Sequence, residues 1–238
     1  TGTLTVGSLD IGHGLGGDTS CTAVGTDALD ASLSGSLNNT AIGKNALTAV
    51  NHINADNNVA VGSNAGDAIT SGSNNTAVGH AALGGTDDGV RNVAVGRGSL
   101  LANCSDNNVA VGYEALNDYT GSNAVAVGYG AADALTTGGF NTAVGKDALG
   151  ATDDGQYNVA VGYQALNANC GDSNVSVGFE ALEVFTGANA VAIGAAAASA
   201  ATSASNLTAV GENALAACTE GNYNTAVGTG ALASITTG

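Results

Sequence analysis

A glycine recurs along the chain, and the residues that directly follow its copies form a column rich in basic and aromatic side chains. Its richer positions are Lys44, His80, Arg97, Tyr113, Tyr129, Lys146, Tyr163 and Phe179. Aromatic rings pack against the apolar faces of sugars and hold cations over their own faces. One interpretation is a glycan- or receptor-binding surface formed by Arg97, Tyr113, Tyr129, Lys146, Tyr163 and Phe179. The other, which we favour, is a surface ladder whose contacts each stabilise the fold by about 0.5–1.5 kcal/mol.

Two acidic loops are the second group of candidate residues. Their carboxylates belong to Asp87, Asp88, Asp106, Asp153, Asp154 and Asp172. Clustered carboxylates and turn carbonyls suit Ca²⁺, although Thr-Asp-Asp-Gly is also a favourable turn sequence by itself. Neither an EF-hand loop nor a Gly-Gly-x-Gly-x-Asp repeat accompanies them. We therefore expect no obligatory cofactor, and Ca²⁺ is the one candidate ion.

The sequence does not bring together residues suited to catalysis. His13, His52 and His80 lie in different repeats, and none has a nucleophile at a spacing that would pair the two. The cysteines show no CxxC or Cys/His spacing typical of metal sites. We predict that the protein is not an enzyme.

A short repeat positions these side chains, and residues 141–149 (Asn-Thr-Ala-Val-Gly-Lys-Asp-Ala-Leu) represent it well. Its central glycines are Gly7, Gly25, Gly43, Gly62, Gly79, Gly96, Gly112, Gly128, Gly145, Gly162, Gly178, Gly194, Gly211 and Gly228. They are spaced 16 to 19 residues apart, and a fixed short period is the signature of a stacked array. Because the unit is too short for a helical hairpin, we predict an all-β parallel β-solenoid (β-roll) of about fourteen coils.

The residue types of the repeat agree with such a coil. Val or Ile precedes the glycine in every copy and favours a strand, while glycine suits a corner. An Asn four or five residues before the glycine is predicted to stack into a ladder and to bond to neighbouring backbone. The ladder residues are Asn39, Asn58, Asn75, Asn92, Asn108, Asn123, Asn141, Asn158, Asn174, Asn189, Asn206 and Asn224.

The repeats predict a single solenoid domain over residues 1–238. Residues 1–35 are the least regular, and residues 79–144 and 145–210 form two similar four-coil blocks. Residues 211–238 begin a third block. Both ends are in phase with the repeat, which fits either a segment of a longer array or copies that stack head to tail.

The charge balance restricts the partners. Twenty acidic and four basic residues give a net charge of −16, which argues against nucleic acid and anionic lipid. No apolar run is long enough for a transmembrane helix, so we expect no membrane insertion. The sequence has neither a signal peptide nor an initiator Met. We expect a mature or excised segment that works outside the cell, on a cell surface or on a virion.

Four cysteines, Cys21, Cys104, Cys170 and Cys218, lie in different coils. Stacked strands are about 4.8 Å apart, so Cys104 and Cys170, four coils apart, would be separated by about 19 Å. A disulfide requires Cα atoms within about 7 Å. We predict no intrachain disulfide, and the thiols are either free or paired between chains.

Alternation along the strand decides which side chains face outward. In residues 109–111 both valines share one side and the alanine lies on the other. We predict that Val and Ile are inside and that the alanines form an outward interface of Ala77, Ala94, Ala110, Ala126, Ala143, Ala160, Ala192 and Ala209. Long apolar stripes are rarely left in water, so we expect self-association, most simply as a homotrimer. The alternative is a monomer that tolerates weakly apolar alanines.

The motif Asn-(Thr/Val)-Ala-(Val/Ile)-Gly-x-x-Ala-Leu resembles the head repeat of trimeric autotransporter adhesins. It resembles still more closely the related repeats of phage tail fibres and of bacterial surface proteins similar to them. The resemblance covers nearly the whole chain and implies a left-handed parallel β-roll, a trimer and a role in attachment. The longer coil and the four cysteines depart from the family pattern.

These observations predict a non-enzymatic structural or adhesive fibre module that presents loops for surface attachment. Its expected partners are further copies of itself and a cell-surface glycan or receptor. Two alternatives stay open. One is a self-polymerising extracellular filament whose subunits stack head to tail, and the other is a surface module that binds Ca²⁺ or glycans.

Overall fold

A computed structural model describes residues 4–6, 9–13, 19–32 and 35–237. It comprises two compact units, Thr1–Ser122 and Asn123–Gly238. Each unit is built from short strands joined by turns, so the predicted all-β class is confirmed. Within the described ranges, no helix has the length and hydropathy needed to cross a bilayer.

Almost every strand is three residues long and ends just before a central glycine of the repeat. The first unit contains β1 (Leu4–Val6), β2 (Leu9–Gly12), β3 (Thr22–Val24), β4 (Thr40–Ile42), β5 (Val59–Val61), β6 (Thr76–Val78), β7 (Val93–Val95) and β8 (Val109–Val111). The second contains β9 (Val125–Val127), β10 (Thr142–Val144), β11 (Val159–Val161), β12 (Val175–Val177), β13 (Val191–Ile193), β14 (Thr208–Val210) and β15 (Thr225–Val227). We call each copy of the repeat a coil and name it by its strand.

Neighbouring strands pair in parallel from β3 to β8 in the first unit. The same holds from β9 to β15 in the second. Equivalent residues always face each other, as Ala143 faces Ala160. Each unit is therefore a parallel β-solenoid, as the repeat predicted.

The first copy of the repeat does not form a parallel coil. Thirteen of the described strands, β3 to β8 and β9 to β15, lie in the parallel arrays, close to the predicted count of about fourteen coils. Strand β1 pairs antiparallel with β2, and β2 pairs antiparallel with β3. Only two residues separate β1 from β2, which is too few for a full coil but enough for a reversal between antiparallel strands. The first glycine of the series, Gly7, lies outside the described residues.

The predicted orientation of the strands is wrong. The alanines expected on the outside are 0–1% exposed: Ala77, Ala94, Ala110, Ala126, Ala143, Ala160, Ala192 and Ala209. They line the core, so they cannot form an oligomer interface while the coil is folded. The outward side chains are instead the Val, Ile and Thr residues on either side of them.

The turn after each glycine explains this inversion. Ala115 and Leu116 are consecutive, yet both are fully buried, because Leu116 adopts a left-handed φ of 51°. This backbone breaks the alternation of a strand and turns both side chains inward. Since the leucine occupies the interior of a closely packed coil, the strand has room inside for only a methyl group.

Buried asparagines form the predicted ladder. The Asn174 backbone N–H donates to Oδ1 of Asn158 at 2.9 Å, and Asn158 Nδ2 donates to the Gly171 carbonyl at 3.0 Å. The same pattern recurs in both units, and in the first unit the Asn75 backbone N–H donates to Oδ1 of Asn58 at 3.0 Å. Each amide thus bonds to the next asparagine of the ladder and to the turn that precedes the next strand.

Three asparagines predicted in the ladder are not part of it. Asn123, Asn189 and Asn206 lie one position earlier, at five residues before the glycine, and are exposed with positive φ. The buried position next to them holds Ala124, Ala190 or Leu207. The prediction merged two positions that the structure separates.

All four cysteines are free and buried. Cys104 and Cys170 contact the hydroxyls of Thr86 and Thr152, each at 3.2 Å. Burial raises the pKa of both thiols. A disulfide between folded chains would need exposed sulfur atoms, so the free form is the one that this fold accommodates.

Candidate functional site

Side chains of four successive coils in the second unit form a continuous column after the central glycines. Lys146 Nζ lies 5.7 Å from the ring centroid of Tyr129 and 5.4 Å from that of Tyr163. The Tyr163 ring stacks on Phe179 with centroids 5.3 Å apart and an angle of 13° between planes. The structure therefore brings together four of the six residues predicted to bind a ligand.

The other two predicted residues form a pair in the first unit. Arg97 lies over the Tyr113 ring at 5.4 Å and donates a hydrogen bond to its hydroxyl at 2.8 Å. Arg97 also lies 3.8 Å from Glu114. The hydrogen bond to Glu114 and its charge raise the pKa of the Tyr113 hydroxyl.

The positive charge in the column of the second unit is compensated. Lys146 Nζ lies 3.0 Å from the carboxylate of Asp147. Asp147 raises the pKa of Lys146, first through this hydrogen bond and then through its charge. The column thus keeps N–H donors and a carboxylate acceptor beside its rings, with little net charge.

A second aromatic pair, which the sequence analysis missed, precedes strands β10 and β11. Phe140 and Tyr157 stack with centroids 5.3 Å apart and planes 8° apart, and their side chains are 55% and 56% exposed. Both occupy the turn position immediately before the ladder asparagine. An aromatic residue in that position of two successive copies was the signal available in the sequence.

The backbone at this pair is strained. Phe140 and Tyr157 have φ values of 61° and 58°, where most coils carry an asparagine that tolerates the left-handed region. The left-handed region costs an L-residue about 1–2 kcal/mol, or about 2–4 kcal/mol for the two. Their stacking returns about 0.5–1.5 kcal/mol in addition to the burial of the inner part of each ring. Asparagine adopts the same backbone with less strain but without these contacts.

The exposed rings are concentrated in one part of the chain. The sequence has only six Tyr and three Phe. Two of these nine, Tyr119 and Phe185, are fully buried in the core. Five are exposed on the four coils β9 to β12: Tyr129, Phe140, Tyr157, Tyr163 and Phe179. A chain so poor in aromatic residues therefore places most of them on one short stretch of surface.

The acidic loops use their carboxylates to join neighbouring turns. Asp106 accepts a hydrogen bond from the backbone N–H of Val90 at 2.9 Å, and Asp172 accepts one from the N–H of Gln156 at 2.9 Å. The carboxylates of Asp87 and Asp153 accept from threonine hydroxyls of an adjacent coil.

The predicted Ca²⁺ ligands are not gathered into one group. Asp88 and Asp154 lie exposed at the tips of the same turns. In the ranges that the structure describes, no three His, Cys, Asp or Glu side chains come together as a metal-binding group. Ca²⁺ binding by these loops stays a prediction.

An open acidic depression of about 480 Å³ lies in the first unit. It is lined by Asp27, Asp30, Asn45, Thr48 and Asp67. Partial burial raises the pKa of Asp67, while a hydrogen bond from its own backbone and the charge of His80 act in the opposite direction. The residue pattern did not predict this depression, because its lining residues come from separate copies of the repeat.

An apolar stripe runs along the outer face of the strands in each unit. Val227 in the last strand is 70% exposed, and six further large members are between 36% and 42% exposed: Ile42, Val59, Val125, Val127, Val144 and Ile193. Threonines and other valines occupy the equivalent positions of the remaining strands. This stripe, and not the alanine column, is the apolar surface available to another molecule.

Comparison with protein-family models, curated proteins and solved structures found no match for this chain. The likeness of the repeat to adhesin heads and tail fibres, with the left-handed winding and trimer that it implies, stays a prediction.

Proposed function

We propose that this protein is a non-enzymatic structural and adhesive module of an extracellular fibre, carried on a cell surface or a virion. The observation that carries the proposal is that the repeated residues have repeated structural roles. In each solenoid unit, ladder asparagines, corner glycines and buried alanines support one coil on the next. Such an array transmits force along its stack and leaves the turns free to vary in sequence.

Self-association through the outward Val, Ile and Thr stripe is part of this proposal. Apolar stripes of this kind are commonly covered by a partner. Short strands with small branched side chains present a flat surface, which suits side-by-side packing of copies better than end-to-end contact. A homotrimer is the simplest closed form that agrees with the resemblance of the repeat.

Light scattering on the purified protein tests the proposal. A mass near three times 22.6 kDa is expected. Val144→Glu places a charge in the stripe and should shift the mass towards 22.6 kDa. Val184→Glu is the matched control, because Val184 is similarly exposed but lies outside the strands, and it should leave the mass unchanged.

Two other outcomes of the light-scattering measurement would contradict the trimer. A wild-type mass of 22.6 kDa at all concentrations would remove self-association. A mass that grows without limit, with long fibres in electron micrographs, would favour the head-to-tail filament over the trimer.

A further inference from the structure

Two exposed aromatic pairs lie on either side of the strands of coils β10, β11 and β12. Phe140 and Tyr157 precede β10 and β11, whereas Tyr163 and Phe179 follow β11 and β12. Tyr157 and Tyr163 belong to the same coil and are six residues apart, so at about 3.3 Å per residue the pairs are separated by at most about 20 Å. We call this surface the aromatic platform.

The outer face of the strands between the two pairs is small and nearly uncharged. Thr142, Val144, Val159 and Val161 present methyl and hydroxyl groups there. The charged groups beside Tyr163 are Lys146 and Asp147, which neutralise each other at 3.0 Å, and Glu180, whose backbone N–H donates to the Tyr163 carbonyl at 2.9 Å. The platform therefore combines rings, hydroxyls and a paired donor and acceptor over the length of an extended chain ligand.

The chemistry of the platform selects a class of ligand. Rings that are half exposed can pack against the C–H faces of sugars, and the Lys146–Asp147 pair can both donate to and accept from hydroxyl groups. The net charge of −16 repels polyanions, which disfavours acidic glycans and nucleic acids. The ligand that fits is an uncharged polymer of many hydroxyls.

We propose that the aromatic platform binds a neutral polysaccharide chain across coils β10 to β12. The chain contacts Phe140 and Tyr157 at one side of the strands and Tyr163 and Phe179 at the other. This inference goes beyond the structural role above. The polysaccharide would lie over Val144 and its neighbours, which the proposed self-association also covers, so the two occupants compete for this face. Polysaccharide binding explains why two successive coils keep aromatic residues in a turn position where asparagine is easier to accommodate.

Affinity electrophoresis in native gels provides the test. The probes are dextran, mixed-linkage β-glucan, galactomannan and xyloglucan, with alginate as a polyanion of similar size. At least one neutral polysaccharide is expected to retard the wild-type protein, and alginate is not. Absence of retardation by all four neutral probes, or retardation by alginate alone, overturns the proposal.

The double variant Phe140→Asn/Tyr157→Asn separates binding from folding. Asparagine is the residue that most other coils carry at this position, so the variant should melt at the same temperature as the wild type or higher. Its affinity for the retarding polysaccharide should fall by about fivefold to a hundredfold. Tyr163→Ala/Phe179→Ala should weaken the same interaction from the other side of the strands.

Tyr223→Asn is the matched control. Tyr223 occupies the equivalent turn position of coil β15, with a φ of 62° and 80% exposure, but lies outside the platform. It should leave retardation unchanged. Retention of wild-type affinity by both double variants would overturn the proposal, as would an equal loss in Tyr223→Asn. Light scattering on the same samples shows separately whether self-association has changed.

Discussion

Substitution of two glycines in one coil tests the stacked arrangement of the corners. Gly96 has a φ of +134°, and a Cβ built there would lie 2.6 Å from the carbonyl carbon of Gly112 in the next coil. Gly98, two residues later, has a φ of +65°, and its Cβ would meet only the side chains of Asn117 and Glu114 at 3.5 Å. The equivalent position of the preceding coil already holds an alanine, Ala81, with φ 53°.

The two alanine variants should therefore differ strongly. Gly96→Ala incurs about 1–3 kcal/mol for a strained backbone and about 1–3 kcal/mol for overlap with backbone that cannot move aside. Gly98→Ala incurs about 1–2 kcal/mol for the left-handed region. The reduced entropy of the unfolded chain returns about 0.4–1 kcal/mol in both variants and cancels in the comparison. The expected difference is about 1–4 kcal/mol, or roughly 2–16 °C in Tm for a chain of this size.

Thermal melting followed by circular dichroism, together with urea unfolding, measures this difference. Both substitutions add one methyl group to the same coil, so end effects and expression level affect them alike. Equal destabilisation by Gly96→Ala and Gly98→Ala would refute the conclusion that each corner glycine packs directly against the corner glycine of the next coil.

Three further predictions concern the ladder, a carboxyl group and the thiols. Asn158→Ala should lower the unfolding free energy by about 2–4 kcal/mol, because it leaves buried backbone groups without partners, whereas Asn206→Ala at the exposed position should cost about 1 kcal/mol or less in urea unfolding. Burial raises the pKa of Asp67 above 3.8. The folded state therefore binds the Asp67 proton more tightly than the unfolded state does. The stability that this protonated carboxyl contributes is lost as pH rises from 3.8 through the folded pKa. The stability advantage of Asp67→Asn over wild type, measured by urea unfolding, should therefore grow from about pH 3 to about pH 7. Cys104 and Cys170 should react with a thiol reagent only as fast as the coils open, since burial both shields them and keeps them protonated.

The repeat was sufficient to predict the solenoid, because a strand, a glycine and an asparagine recur at one short period. It could not determine which strand face lies inside. Ala110 and its neighbours Val109 and Val111 are all apolar, so alternation alone fits either orientation. The orientation depends on Leu116, whose left-handed backbone is unusual for leucine and leaves no mark in the residue pattern.

The candidate site was predicted only in part for a similar reason. The column that includes Tyr163 and Phe179 follows a glycine, which made it easy to align between copies. Phe140 and Tyr157 stand at a position filled elsewhere mostly by asparagine, so they resembled ordinary turn variation. Asn123 was assigned to the ladder for a related reason. It lies one residue before the buried ladder position, and the repeat pattern did not distinguish the two positions.

The left-handed positions connect the stability of the fold with its surface chemistry. Leu116 is fully buried, and burial of a leucine contributes about 1.5–3 kcal/mol, which offsets the roughly 1–2 kcal/mol cost of its backbone. Asparagine and glycine adopt the same backbone at lower cost. Phe140 and Tyr157 are more than half exposed, so stacking and partial burial offset less of this cost than the full burial of Leu116 does. Tyr223 has the same backbone outside the platform and is 80% exposed, so this strain alone does not mark a binding site. The stacked pair of Phe140 and Tyr157 differs because a second stacked pair, Tyr163 and Phe179, lies on the other side of the same strands.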